Sequence, residues 1–161
     1  MRRLKLYLDT SVLGGLFDIE DMSRVNTAKS LISDVRNNNY EGFVSFLTIE
    51  EISKAPREIM NQLKDAIKDA QLQVLEESED CMELANAYIK SGAIPLKYRD
   101  DARHIPIGVY HDIDFIVSWN YKHMVNIHVE RLINSVNLKM GYGSIEIISP
   151  EEVIDYGEME V

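Results

Sequence analysis

The sequence predicts an α/β protein: a three-layer α/β/α sandwich around a central, mainly parallel sheet of about five strands. Three observations lead there. Short apolar runs with strand-like alternation recur along the chain, segments of helical periodicity separate them, and no two-residue hairpin chemistry joins them. Successive strands must then pair through right-handed helical crossovers. No composition shift, low-complexity stretch or internal repeat divides the 161 residues, so residues 1–161 are expected to form one domain, long enough to bury a real core.

The first strand is the run ending in Leu4, Leu6 and Leu8, which alternate with polar or amphipathic residues and stop at Asp9. A short helix follows over Ser11 to Phe17. A second helix, capped by Asn26 or Thr27, carries Ala28, Leu31, Ile32 and Val35 at helical spacing, and NNNYEG ends it. GFVSFL reads as the second strand. Thr48 opens a helix closed near Ala55-Pro56, and Glu51, three residues on, is equally explained as the far half of a capping box. Arg57 to Asp69 is a charged amphipathic helix, and residues 71–75 are a third strand. Ser78 starts a helix that buries Met82, Leu84, Ala85, Tyr88 and Ile89, and Ser91-Gly92 ends it. Asp100-Asp101 opens an apolar helix toward Tyr110, which Pro106 should kink. Residues 114–118 form the fourth strand, Ile127 to Val136 a helix, SIEII the last strand, and Ser149-Pro150 the start of a closing helix.

The single cysteine, Cys81, has no disulfide partner and no zinc-site spacing, which points to a reducing compartment and a core role. Asp9 interrupts the N-terminal apolar run too early for a signal peptide, and no stretch is long enough to span a membrane, so a cytoplasmic protein is expected. The formal net charge of -10 argues against a broad electrostatic grip on nucleic acid, which would have to be met by a local basic patch.

Topology sorts the polar residues. Asp9 ends the first strand, Glu51 lies in the first turn of the helix after the second, and Asn120 is just past the fourth. Asp101 begins the helix returning to the fourth strand, so all four fall at the carboxyl edge of the sheet, where open α/β folds bind ligands. Asp112 and Asp114 precede the fourth strand and fall at the opposite edge. Three acids about 5 Å apart would repel by on the order of 3 kcal/mol per pair at an effective dielectric near 20. Protons or a divalent cation must relieve that, and hard oxygen ligands favour Mg²⁺ or Mn²⁺. Metal-assisted phosphodiester hydrolysis is the simplest chemistry that uses such a set. Asp9 has the plainer alternative of capping the helix that follows it.

LYLDTSVLGGLF at the start, FLTIEEI in the middle, YRDDARHI, and VSWNYKHMVN after the fourth strand together resemble the PIN-domain proteins, the fold of VapC-type toxins, over nearly the full length. The resemblance implies that Asp9, Glu51 and Asp101 hold one or two Mg²⁺ or Mn²⁺ ions. It also implies RNA endonucleolysis leaving a 5′-phosphate, a homodimer and, for toxin members, an antitoxin that blocks the groove. Many members have a fourth acid where this chain has Asn120, whose amide can ligate or orient but adds no charge. Glu50 and Asp100 are the competing choices to Glu51 and Asp101, and the resemblance favours the latter two.

Secondary candidates surround these. Thr10 or Ser11 can hydrogen-bond a metal-bound water or phosphate, with helix capping as the plain role of Ser11. Lys97, Arg99 and Arg103 form the local basic cluster beside Asp101, and Lys122 and His123 follow Asn120 near the same edge; all are candidates to meet RNA phosphates, with solvated surface charge as the plain reading. His104, in an apolar helix, is read as a buried, hydrogen-bonded histidine, and Trp119 as core packing. Two other functions compete with a metal-dependent ribonuclease: a PIN-like module that only binds RNA or protein, and an aspartyl-phosphate phosphotransferase with Asp9 as nucleophile. The latter lacks the second acid two residues on, where Ser11 stands.

Overall fold

A computed structural model describes residues 2–159. Five parallel strands, β1 (Lys5–Leu8), β2 (Glu41–Ser45), β3 (Gln73–Leu75), β4 (Phe115–Val117) and β5 (Glu146–Ile148), form one sheet in the order β3-β2-β1-β4-β5. Tyr7 sits opposite Phe43 on one side and Ile116 on the other. Leu6, Leu8, Val44 and Val117 bury one face of the sheet, and Tyr7, Phe43, Ile116 and Ile147 the other. Alternating residues are thus covered on both faces, as a parallel sheet requires.

One outer layer holds α1 (Thr10–Gly14), α2 (Met22–Arg36), α4 (Arg57–Asp69) and α9 (Pro150–Met159); the other holds α5 (Glu79–Lys90), α7 (His104–Tyr110) and α8 (Ile127–Lys139). Cys81 lies in the second core, as the sequence predicts. No helix among the described residues is long and apolar enough to cross a membrane.

Several boundaries differ from the sequence reading. Helix α2 starts at Met22 rather than Asn26, because the Asp21 carboxylate caps the Arg24 N–H at 3.3 Å. The strand ends at Ser45, which caps α3 (Phe46–Ile52) in a reciprocal box with Thr48. The apolar Phe46-Leu47 pair, read as strand, belongs to this helix, since so short a run carries no decisive period. Glu51 therefore lies in the last turn of α3 rather than its first, and it is no part of a capping box. The third strand begins at Gln73, after Gln71 turns the chain with φ 55°.

The helix expected to kink at Pro106 instead breaks at Arg103 into α6 (Arg99–Ala102) and α7, which places Pro106 in the first turn of α7. A first-turn N–H has no intrahelical partner, so its absence costs nothing there. Asp100 does not cap α6; Tyr98 holds the cap position without a side-chain bond. Gly92 takes φ 84° at the end of α5, and Ser149 caps α9 through the Glu152 N–H at 3.3 Å.

At the amino edge of the sheet, Asp114 accepts from both guanidinium nitrogens of Arg2 at 2.9 and 3.0 Å and from the Lys5 N–H at 2.8 Å, tying the start of β1 to β4. The Arg2 hydrogen bond holds the Asp114 carboxyl below its ordinary pKa, with the Lys5 N–H adding to it. A depressed carboxylate stabilises the fold above its unfolded pKa near 3.8, and that stabilisation disappears as pH falls through the lower folded value. Asp114→Ala should cost about 1–2 kcal/mol in urea unfolding at neutral pH, and the difference from the native chain should shrink toward pH 3. A variant with an unchanged midpoint at pH 7 would mean that this clamp has no weight.

Candidate active site

The strand order reverses direction between β1 and β4, and the crevice at their carboxyl ends is the place where such sheets bind ligands. Asp9 follows β1 there and is 4% exposed. Its Oδ1 accepts from the Ser11 hydroxyl at 2.6 Å and from the Val12 N–H at 3.3 Å, and its Oδ2 accepts from the Ser118 hydroxyl at 2.5 Å. The capping role of Asp9 is therefore real, but it occupies one oxygen only. Burial pushes its pKa up; the nearby His104 and the three hydrogen bonds pull it back only partly.

Glu51 reaches the same rim from α3. Its Oε1 accepts from the Thr10 hydroxyl at 3.1 Å and lies 2.6 Å from His104 Nε2. His104 is 4% exposed, and its Nδ1 is 2.6 Å from the Tyr7 hydroxyl, itself 2.7 Å from the Ser45 hydroxyl. With the imidazole proton on Nε2, Ser45 donates to Tyr7, Tyr7 to His104 and His104 to Glu51, so every hydroxyl in the chain has a defined direction. Burial alone would raise the Glu51 pKa, but the hydrogen bond from His104, with that from Thr10 and the Arg103 charge, brings it below the ordinary value. Burial holds the Tyr7 phenol far above its own, so it stays protonated. The two carboxyls, one residue away from each other through Thr10, are thus pushed in opposite directions.

The third acid arrives on α6. Asp101 Oδ2 accepts from the Asn120 amide at 3.4 Å; Asn120 in turn donates its N–H to the Ser118 hydroxyl at 3.0 Å, and Ser118 donates to Asp9. Asn120 Oδ1 accepts the His123 N–H at 3.0 Å, which shapes the loop after β4. Trp119 is held by its Nε1–H to both oxygens of Glu151, by its N–H to Ser11, and by close packing on Gly15. It belongs to the core, as expected. Asp9 is the hub, with Thr10 and Glu51 on one side and Ser118, Asn120 and Asp101 on the other.

The competing acids point elsewhere. Arg103 forms a two-pronged pair with Glu77 at 2.9 and 2.6 Å, and Glu50 and Asp100 lie near it at 3.7 and 4.0 Å, with side chains 61% and 93% exposed. Arg103 is thereby taken out of the basic cluster, whereas Lys97, Arg99 and Lys122 remain exposed. Thr10 and Ser11 are wired to Glu51 and Asp9.

Sequence reasoning missed Tyr7, Ser45, Glu77 and Ser118. Ser118 had a signal, a hydroxyl at a strand end one place before Trp119-Asn120. Tyr7 had none, because an inward tyrosine on a two-sided sheet has the same pattern as an outward amphipathic one.

The donor set is chemically suited to a hard cation, but its arrangement is not. Among the described residues no three carboxylate, imidazole or thiol groups stand close enough to hold one ion. Asp9 has each oxygen on a protein donor, and Glu51 Oε1 is shared between His104 and Thr10. The residues do not fit a three-acid cation site as they stand. The same burial of Asp9 counts against its use as a phosphoryl-accepting nucleophile.

No family model matches the chain, and no curated protein does either. Solved structures do. A toxin-antitoxin complex from Klebsiella pneumoniae is 18% identical, with 73% of this chain and 88% of that chain covered and a TM-score of 0.53. VapBC2 from Rickettsia felis, bound to a DNA fragment from its promoter, is 17% identical, with 74% and 90% covered and a TM-score of 0.52. At such identities the likeness concerns the fold, and it agrees with the all-parallel sheet and flanking helices: the chain has a PIN-domain-like fold of the VapC kind.

Proposed function

We propose that this chain hydrolyses phosphodiester bonds of RNA at the rim where β1 and β4 diverge. The observation that carries the reading is that Glu51 from α3 and Asp101 from α6 are linked to the buried Asp9 at the end of β1, through Thr10 on one side and Ser118-Asn120 on the other. The fold shared with toxin–antitoxin structures supports it. Ionised Glu51 can accept a proton from an attacking water, and Asn120 can hold a substrate oxygen without adding negative charge. The role of toxin, an antitoxin that covers the rim and a homodimer belong to the same proposal.

Mg²⁺ or Mn²⁺ is the cofactor of this proposal; to hold it, Asp9, Glu51 and Asp101 would have to draw closer together, Glu51 through Oε2 with Oε1 kept on His104. Such an ion, if held there, would supply positive charge for the phosphate and the leaving oxygen. Incubation of 3′-labelled single-stranded RNA with the purified chain should give labelled products beginning with a 5′-phosphate in Mn²⁺, and none in excess chelator. Cleavage that persists in chelator would remove the metal from the proposal.

A second reading, an RNA- or protein-binding module without turnover, is favoured by one observation: the acids are satisfied by protein donors instead of converging. Tight RNA binding without cleavage in either ion would establish it over the first.

A further inference from the structure

Beyond the acids, one cluster at the same rim joins lysines of the basic candidates to an aromatic ring, Tyr98, that the site has not used. Tyr98, three residues before Asp101, is half-buried, and the ring of His123 lies against it with centroids 3.6 Å apart and planes tilted by 31°. The ammonium groups of Lys97 and Lys122 stand 5.1 and 5.8 Å from the centroid of that same Tyr98 ring. Two exposed lysines from segments 25 residues apart in sequence are thus gathered around one aromatic ring, in a protein whose net charge is -10. The Nε2 of His123 is the one buried side-chain nitrogen or oxygen without a hydrogen-bond partner among the described residues.

Cations held together repel, and a polar atom left without a partner is costly, so both features mark a place prepared for an anion with polar atoms. The half-buried Tyr98–His123 pair leaves some aromatic surface exposed, and such surface can stack a base of any sequence. We propose that Lys97, Tyr98, Lys122 and His123 form a clamp for single-stranded RNA, binding its backbone on the Asp101-Asn120 side of the acids. The two lysines take successive phosphates, and the exposed part of the Tyr98–His123 pair stacks a neighbouring base. Asp101 and Asn120, which follow Tyr98 and precede His123 within three residues, join the clamp to the acids. The inference rests on the RNA-hydrolase reading for its substrate class, but not on turnover.

The test measures binding of a fluorescent single-stranded RNA to the Asp9→Asn chain by anisotropy, from about 50 to about 200 mM salt, with and without Lys97→Gln/Lys122→Gln. Loss of two phosphate contacts should flatten the slope of log K against log salt by about 1.4. Tyr98→Leu should weaken binding roughly tenfold at unchanged slope, and Tyr98→Phe should restore it. A slope unaltered by the double substitution overturns the clamp, as does failure of the parent chain to bind RNA at all. Cleavage by the native chain is followed in parallel: an unchanged slope with cleavage intact rejects the clamp alone, and a flattened slope without cleavage supports the clamp while rejecting the hydrolase.

Discussion

Asp9→Asn should abolish RNA cleavage and leave the fold at least as stable at neutral pH. The loss expected is on the order of 10²–10⁴-fold, the range for removing an essential acid–base or charge-stabilising group. The stability side follows from burial. Because burial raises the Asp9 pKa above its unfolded value near 3.8, the protonated form is favoured in the folded chain. Its contribution is fully present below pH 3.8 and is lost as pH rises through the folded value. Asparagine has no proton to lose, keeps an oxygen for the Val12 N–H, and still offers partners to Ser11 and Ser118. The variant should therefore gain on the native chain as pH rises, by urea unfolding at pH 4 and pH 8. Asp9→Ala separates the roles: it loses the cap and strands two hydroxyls, costing about 1–2 kcal/mol more than Asp9→Asn at either pH. Native-level cleavage by Asp9→Asn, or a variant that loses ground between pH 4 and pH 8, would contradict this account.

The second large effect belongs to His104. Removing its ring in His104→Ala opens a cavity beneath the rim, deprives the Tyr7 hydroxyl of one partner and frees Glu51 from its hydrogen bond. The expected cost is about 2–4 kcal/mol, a fall of roughly 5–15 °C in Tm for a domain of this size. Cleavage should fall about 10–100-fold, the usual effect of losing a group that orients an active-site ligand. His104 acts through Glu51 and is a positioning residue. Its signature is a split between two variants: Tyr7→Phe should share the stability loss in part and keep most of the cleavage, because the His104–Glu51 contact survives it. If His104→Ala melts with the native chain, the buried relay contributes nothing to the fold.

The two expectations draw on different layers of the molecule. Asp9 is held by its neighbours in sequence, Ser11 and Val12, and by Ser118 across the sheet. Glu51 is held by residues 41 and 53 positions away, Thr10 and His104. A local cap tolerates asparagine because its geometry is fixed by α1 itself. A long-range pair has no such support when one member is cut away.

By itself the sequence determined the alternation of strands and helices, hence the parallel sheet, the two covered faces and the carboxyl edge as the location of Asp9, Asp101 and Asn120. Periodicity and crossover handedness are local and chain-order properties, and they survive without any knowledge of contacts. Burial of His104 was legible from the apolar helix that carries it, that of Trp119 from its large apolar ring, and that of Cys81 from the want of a disulfide partner or zinc-site spacing.

Only the tertiary structure decided what the polar groups do. Glu51 proved to lie at the end of its helix because Ser45, rather than Thr48, won the cap; Arg103 is spent on Glu77; and the acids are satisfied by Ser118, Thr10, His104 and Asn120 instead of closing on one ion. These outcomes depend on which hydrogen-bond partners, tens of residues apart, arrive within about 3 Å. Spacing along a chain places a side chain at an edge, but the competition among donors for each carboxylate oxygen is resolved only in three dimensions.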